Sequence, residues 1–264
     1  KSLTNPFGFK ANTKNLSPYS YVQTIHYALQ HLQENHHDDV DMRQLSLHCT
    51  SLGAYCGGWY AAHANGLSED LRIIEEPILE PQNIVFQSPV LNPLGVAQSV
   101  VHNPYINYIW GKLGYVPWPI GGEILNVSYR VYEESVGVDF NHDIAPHIHA
   151  GVSIHYGLQD PLEKPETIDN FIAHLTQATS IDVHRYDGAG HALEDVQHLQ
   201  GLPIQTLAKA SSKHPWLTRR EEGLRHYLLN NFMDVTHCGQ ATTASVAFLK
   251  QHTAPAGLHL KTIA

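Results

Sequence analysis

Apolar residues recur along the chain in two periods, and the alternation between them lays out the architecture. From Ser17-Pro18 onward, Tyr19, Val22, Ile25, Leu29 and Leu32 fall at steps of three and four, which predicts an amphipathic helix. Ser17 can cap it and Pro18 suits its first position. The helix is expected to run out at Asn35-His36-His37-Asp38-Asp39. Residues 45–49 are then short and apolar, as a buried parallel strand is. They run into a small-residue turn at Ser51 and a helix rich in Ala and Gly. A loop holding Glu75, Glu76, Pro77 and Pro81 leads to a second buried strand over 83–88.

After a long interruption the pattern resumes with a strand over 151–156, a helix over 166–178 and a strand over 181–186. An irregular segment to Pro215, a helix over 218–231 and a last short helix over 243–252 complete the reading, and residues 1–17 read as a polar, turn-rich loop. Strand, helix, strand repeated in this way predicts right-handed crossovers, an α/β fold with a mostly parallel sheet flanked by helices, and chemistry at the carboxyl ends of the strands.

The interruption, residues 92–146, is too long for a structureless connection in a compact domain, so a small helical insertion capping the active site is expected. It holds Tyr105, Tyr108, Trp110, Tyr115, Trp118 and Gly121-Gly122. Tyr105, Tyr108, Trp110 and Trp118 are the candidates for contact with substrate; the alternative is that these rings form the cap's own core.

Composition narrows the function classes. At 264 residues with 42% hydrophobic and 16% charged residues, the chain can build one full globular core. No apolar run approaches the roughly 20 residues of a membrane-spanning helix. A formal charge of −9, with no basic cluster larger than Arg219-Arg220, argues against a nucleic-acid partner. Cys49, Cys56 and Cys238 form no metal-binding spacing, and the first two read as small buried thiols. Twenty histidines are scattered along the chain. The chain begins at Lys1 with no charged stretch followed by an apolar one, so its compartment is left unread.

The turn at Ser51 carries the chemistry. Cys49-Thr-Ser-Leu-Gly53 matches the nucleophile elbow G-x-S-x-G with cysteine for the first glycine, a sharp strand-to-helix turn at which small residues are expected to avoid collisions. A serine hydroxyl needs a base, and the base needs a carboxylate to fix its tautomer. Ser51, Asp160 and His191 each follow a predicted strand, in the chain order serine, acid, histidine. Asp160 precedes a proline and reads otherwise as a turn residue or helix cap. Asp187 is a rival acid, but it lies four residues from His191 in the same loop and is better suited to shaping the turn.

On Cys49-Thr-Ser-Leu-Gly53, Ser88-Pro-Val-Leu-Asn92, Tyr156-Gly-Leu-Gln-Asp160-Pro-Leu162 and Asp187-Gly-Ala-Gly-His191-Ala-Leu-Glu-Asp195, the sequence resembles the α/β-hydrolases, in particular the prolyl-oligopeptidase and dienelactone-hydrolase-like branches. The resemblance implies Ser51 as nucleophile, Asp160 as acid, His191 as base and the Leu52 N–H as one oxyanion donor. It implies a small ester or peptide substrate and no cofactor. Ester cleavage is favoured over peptidase action, because the peptidases of that branch usually carry a β-propeller. The family has about four further strands before the first helix, and a loop among them supplies the second oxyanion donor; here 17 residues precede that helix. The expectation is therefore an N-terminal fragment or partner chain that completes the sheet, and an oxyanion hole incomplete without it.

Other constellations are weaker. His36-His37-Asp38-Asp39 reads as a solvated helix end, and Asp139, His142, Asp143, His147 and His149 as an ordinary loop, so no metal site is assigned. No phosphate-binding glycine motif occurs. The reading from a different class is a catalytically inactive hydrolase-like scaffold whose aromatic insertion binds a partner.

Overall fold

The computed structural model describes residues 17–96, 103–120, 123–191, 193 and 236–253. The expectations for residues 1–16, for the segment leading to Pro215 and for the helix over 218–231 lie outside the described residues. In chain order the elements are α1 (Pro18–Asn35), β1 (Ser46–Thr50), α2 (Leu52–Ala62), β2 (Asn83–Gln87), α3 (Pro93–Val96), α4 (Pro104–Leu113), β3 (Tyr115–Ile120) and β4 (Glu123–Ser128). They continue with α5 (Tyr129–Ser135), a π-helical turn (Phe140–Ile144), β5 (Gly151–Gly157), α6 (Pro165–His174), β6 (Ser180–Tyr186) and α7 (Thr236–Thr253).

Helix α1 starts where its capping residues place it. Ser17 Oγ accepts the Ser20 N–H at 3.2 Å, and Pro18 occupies the first turn. The same hydroxyl donates to the Glu134 carboxylate at 2.6 Å, which also accepts the Tyr19 N–H at 2.8 Å and so ties α1 to α5. Val22 and Leu29 are buried, and Tyr19, Ile25 and Leu32 pack against the core. His26 shares this face, a burial that apolar periodicity does not register.

β1, β2, β5 and β6 form one parallel sheet in that spatial order, so β1 is its edge among the described residues. β5 is buried along its whole length, as a strand covered on both faces must be. Alternate residues divide between two layers. Ile84, Phe86, Val152, Ile154 and Tyr156 join the core of Trp59 and Phe171 beneath α1, α2 and α6. Ser153 and His155 face the other way, toward α7, where His155 Nε2 meets Ser153 Oγ at 3.0 Å and Ser245 Oγ at 3.1 Å. His155 Nδ1 meets the Tyr186 hydroxyl at 3.0 Å, and its ring stacks on His184 with centroids 4.5 Å apart. α7 is longer than the 243–252 expected, because its first turns carry threonines and Gly239 rather than an apolar period.

Between β2 and β5 the chain forms the helices expected there and also an antiparallel hairpin, β3 with β4, pairing Tyr115 with Ser128 and Ile120 with Glu123. Pro117 and Pro119 disguise β3 in the sequence, since proline cannot donate to a ladder and usually argues against a strand.

Strand β1 and helix α2 approach so closely that a methyl group at Gly57 would overlap Cys49 Sγ. Gly57→Ala is expected to destabilise the protein by about 1–3 kcal/mol, the usual cost of overpacking, and Cys49→Ala in the same chain to recover most of it. Denaturant unfolding of the two single variants and the double variant measures the coupling; simple additivity would contradict the contact.

Burial, and secondarily the stacked His184, pushes His155 down to about 4. The unfolded chain then binds a proton that the folded chain refuses, so stability is complete above about pH 6.5 and falls as the pH drops toward 4, by about 3 kcal/mol. His155→Gln should flatten that part of the stability profile, and superimposable profiles would refute the assignment.

Candidate active site

The turn from β1 into α2 holds Ser51 at φ 54° and ψ −126°, a backbone region that side chains other than glycine rarely occupy. Three hydrogen bonds hold it there. The Ser51 N–H donates to the Gln87 carbonyl at 3.1 Å, and the Ser51 carbonyl accepts the N–H groups of Ala54 at 2.9 Å and Val90 at 3.1 Å. Ser51 is thereby lifted between the ends of β1 and β2 at the head of α2. Leu52 opens that helix, so its N–H has no intrahelical acceptor and stands where the helix dipole favours negative charge.

The elbow's small residues serve different purposes. Cys49 and Cys56 are buried thiols, each pushed up to about 12 by burial and so held as unreactive S–H groups. Gly53 departs from expectation: among the described residues a Cβ there would meet nothing within 4 Å. The crowding falls on Gly57 instead, because the bulkier Cys49 leans on the helix a turn later.

The loops after β5 and β6 bring the other two residues to this edge. At Gly157 a Cβ would run into the carbonyl oxygens of Ala189 and Gly190. The absence of a side chain there lets the loops zip together, Leu158 N–H to Tyr186 O at 3.0 Å and Gln159 N–H to Ala189 O at 2.9 Å. Asp160, its side chain fully buried, accepts the Leu162 N–H on Oδ1 at 2.8 Å and meets His191 Nδ1 through Oδ2 at 2.7 Å. His191 Nε2 lies 2.9 Å from Ser51 Oγ. An ionised carboxylate only accepts, so Nδ1 carries the proton and Nε2 is left to accept from the serine hydroxyl. Asp187 has no part in this chain of contacts; its residue forms the turn before Gly188.

Glu163 is a residue that sequence reasoning passed over. It is buried, and its Oε2 accepts the N–H groups of Leu91 at 2.8 Å and Asn92 at 3.0 Å, clamping the loop after β2 to the loop that carries Asp160. Burial raises its pKa, against the lowering effect of those two bonds. Its only signal in the sequence is its place three residues after Asp160.

The aromatic candidates separate. Trp110 is a correction: it is buried, its ring packs on Tyr129 and Tyr132, and its indole N–H donates to the Val127 carbonyl at 3.0 Å, so it forms the insertion's own core. Tyr105 and Tyr108 project into solvent from α4, with Lys112 over the Tyr108 ring. Trp118 lies on β3, and its side chain is outside the described residues. The residues near 142 do not converge either: His142 pairs with Asp139 at 2.8 Å, and His147 meets the Asn65 carbonyl at 2.9 Å. Among the described residues no three metal-ligating side chains gather, and no helix is long and apolar enough to cross a membrane.

Strain concentrates at the same edge. The non-glycine residues with positive φ among the described residues are Ser51, Ser88 at the end of β2 and Leu193 just past His191. Such residues gather at functional sites because only a rigid surround sustains them.

No protein-family model matches the chain, and no curated protein matches it. Solved structures do. The α/β-hydrolase GrgF from Penicillium sp. sh18 matches with a TM-score of 0.53 at 13% identity, over 91% of this chain and 74% of that one. A monoacylglycerol lipase from Paleococcus ferrophilus gives a TM-score of 0.45 at 16% identity over 67% of each chain. A puromycin-hydrolysing peptidase from Mycobacterium tuberculosis gives 0.40 at 19% identity over 65% of this chain and 22% of its own, so this chain spans about a fifth of that protein. The chain has the α/β-hydrolase fold.

Backbone strain at Ser51 has a measurable sign. Glycine relieves a positive φ and alanine does not, so Ser51→Gly is expected to be more stable than Ser51→Ala by about 1–2 kcal/mol, reversing glycine's usual disadvantage. Thermal unfolding of the two variants checks it, and the ordinary order, alanine above glycine, would contradict a strained elbow.

Proposed function

We propose that this α/β-hydrolase-fold chain is a serine hydrolase that cleaves esters through an acyl-enzyme on Ser51. The observation that carries the reading is the relay of contacts from Ser51 Oγ to His191 Nε2 at 2.9 Å and from His191 Nδ1 to Asp160 Oδ2 at 2.7 Å. Its members come from three separate strand ends. In this reading Ser51 Oγ attacks the ester carbonyl carbon while His191 Nε2 takes its proton, and Asp160 steadies the imidazolium. The Leu52 N–H donates to the oxygen that becomes negative. The C–O bond to the leaving alcohol then breaks, and His191 returns the proton to that alcohol. Water, deprotonated by His191, releases the acid and restores Ser51.

An ester asks least of such a site. Its leaving alkoxide departs more readily than an amine, so less of the barrier must be met by oxyanion donors beyond Leu52. Ester cleavage is therefore proposed ahead of peptide cleavage.

A fluorophosphonate probe is expected to label the wild-type chain at Ser51 and to leave Ser51→Ala unlabelled. Asp160→Asn is expected to lower turnover of p-nitrophenyl butyrate by about 10³- to 10⁴-fold, since the wrong tautomer of the base then faces the serine. Equal turnover by wild type and Ser51→Ala would favour an inactive scaffold. A peptide p-nitroanilide cleaved as fast as the ester would point to a peptidase.

A further inference from the structure

The contacts that place Ser51, His191 and Asp160 close on themselves. Ser51 Oγ meets His191 Nε2 at 2.9 Å, and His191 Nδ1 meets Asp160 Oδ2 at 2.7 Å. Asp160 Oδ1 accepts the N–H groups of Leu162 at 2.8 Å and Glu163 at 3.3 Å, so the carboxylate is held by the next residues of its own loop. Glu163 Oε2 in turn accepts the N–H groups of Leu91 at 2.8 Å and Asn92 at 3.0 Å. Their neighbour Val90 donates its N–H to the Ser51 carbonyl at 3.1 Å, which completes the circuit.

The joints of this circuit differ in how far they are backed up. The elbow has other support, since the Ser51 N–H donates to Gln87 and the Ser51 carbonyl also accepts the Ala54 N–H. The loops after β5 and β6 support each other, Leu158 N–H bonding to Tyr186 O and Gln159 N–H to Ala189 O. Asp160 and His191 are thereby carried as one body. Among the described residues, the hydrogen bonds that join this body to the loop after β2 are the two on Glu163 Oε2. Thr167, on the first turn of α6, lends its side chain to the same carboxylate.

Glu163 is 4% exposed and Asp160 7%, so two carboxylates are buried three residues apart. The arrangement costs stability: burial raises the Glu163 pKa and the neighbouring Asp160 charge acts in the same direction, against the bonds from Asn92, Leu91 and Thr167. An apolar side chain there would escape that cost but would leave two N–H groups without an acceptor. What Glu163 supplies is one oxygen that takes both N–H groups at once. An amide oxygen has the same two lone pairs without the charge.

We propose that Glu163 is a positioning residue for the reaction: by binding Leu91 and Asn92 it sets Asp160 and His191 in register with Ser51, acting through its oxygen as an acceptor and not through its charge. The proposal rests on the serine-hydrolase reading for the reaction it serves. It makes the loop after β2 the link through which the nucleophile and the acid are held at a fixed separation.

Turnover of p-nitrophenyl butyrate by the full chain tests it. Glu163→Ala is expected to lower kcat by about 10²-fold with KM within about twofold, the scale of a misplacement of roughly 1 Å. Glu163→Gln, which keeps the acceptor and drops the charge, should stay within about threefold of wild type. A glutamine variant as slow as the alanine variant overturns the proposal, since charge and not position is then at work. If Glu163→Ala does not fold, Glu163→Asp, whose oxygens are drawn back by one methylene, takes its place, with a loss of about tenfold or more expected. A double-mutant cycle with Asp160→Asn separates positioning from folding. Residues that work as a unit are non-additive, so with Asp160 already replaced the Glu163 substitution should cost less than about threefold. Loss of folded enzyme instead lowers both backgrounds by the same factor, and equal factors overturn the proposal. If the wild type cleaves no ester, the serine-hydrolase reading fails by itself, and crystal structures of the wild type and the same Glu163 variant decide the positioning. Ser51 Oγ carried out of hydrogen-bond reach of His191 Nε2 supports it, and unchanged distances refute it.

Discussion

Ser51 occupies a backbone conformation that costs on the order of 1–3 kcal/mol, and the edge of the sheet is arranged so that it cannot relax. Its N–H is taken by the end of β2 and its carbonyl by Ala54 and Val90. Any drift toward an ordinary conformation would break bonds to two different elements. The constraint depends in turn on how closely β1 and α2 meet, set by the absence of a side chain at Gly57 opposite the Cys49 sulfur. With the elbow fixed, the hydroxyl has one direction to face, and the loops after β5 and β6 need only deliver a carboxylate and an imidazole to it.

That delivery uses the same physics. Gly157 allows two loops to approach within backbone hydrogen-bonding distance, and Asp160 and His191 ride on the paired loops. Glu163 extends the bracing sideways to Leu91 and Asn92, so a buried carboxylate, costly in isolation, is matched by two N–H donors. On the opposite face of the sheet His155 fills a comparable role, gathering Ser153, Ser245 and Tyr186 around one neutral ring. The fold is thus held at its edges by a few satisfied polar groups set into a largely apolar core.

Much of this was legible in the chain. Ser17-Pro18 marks the start of α1, the apolar runs mark the strands of the parallel sheet, and the order Ser51, Asp160, His191 picks out three residues that meet in space at 2.9 and 2.7 Å. These signals are local: a cap, a strand end and a glycine-rich turn are each written within a few consecutive residues. The hairpin of β3 and β4 was not legible, because two prolines contradict its strand pattern. Trp110 and Tyr55 could not be sorted from sequence either. Both are aromatic residues on helices, and only their packing tells them apart: Tyr129 and Tyr132 pack on the first within the insertion, and Trp59 and Phe140 pack on the second within the main core.

The sequence by itself determined the kinds of elements, their order and which residues stand at the strand ends, since periodicity, capping and turn chemistry act over a few positions. Only the tertiary structure decided which buried polar groups find partners. Glu163 reaches back 72 residues to Leu91, and Ser245 reaches back 90 to His155, contacts that no local pattern encodes. The elbow shows both halves. Its motif announced Ser51, but which glycine makes room for it, Gly57 and not Gly53, depended on how far a cysteine side chain leans across the gap between strand and helix.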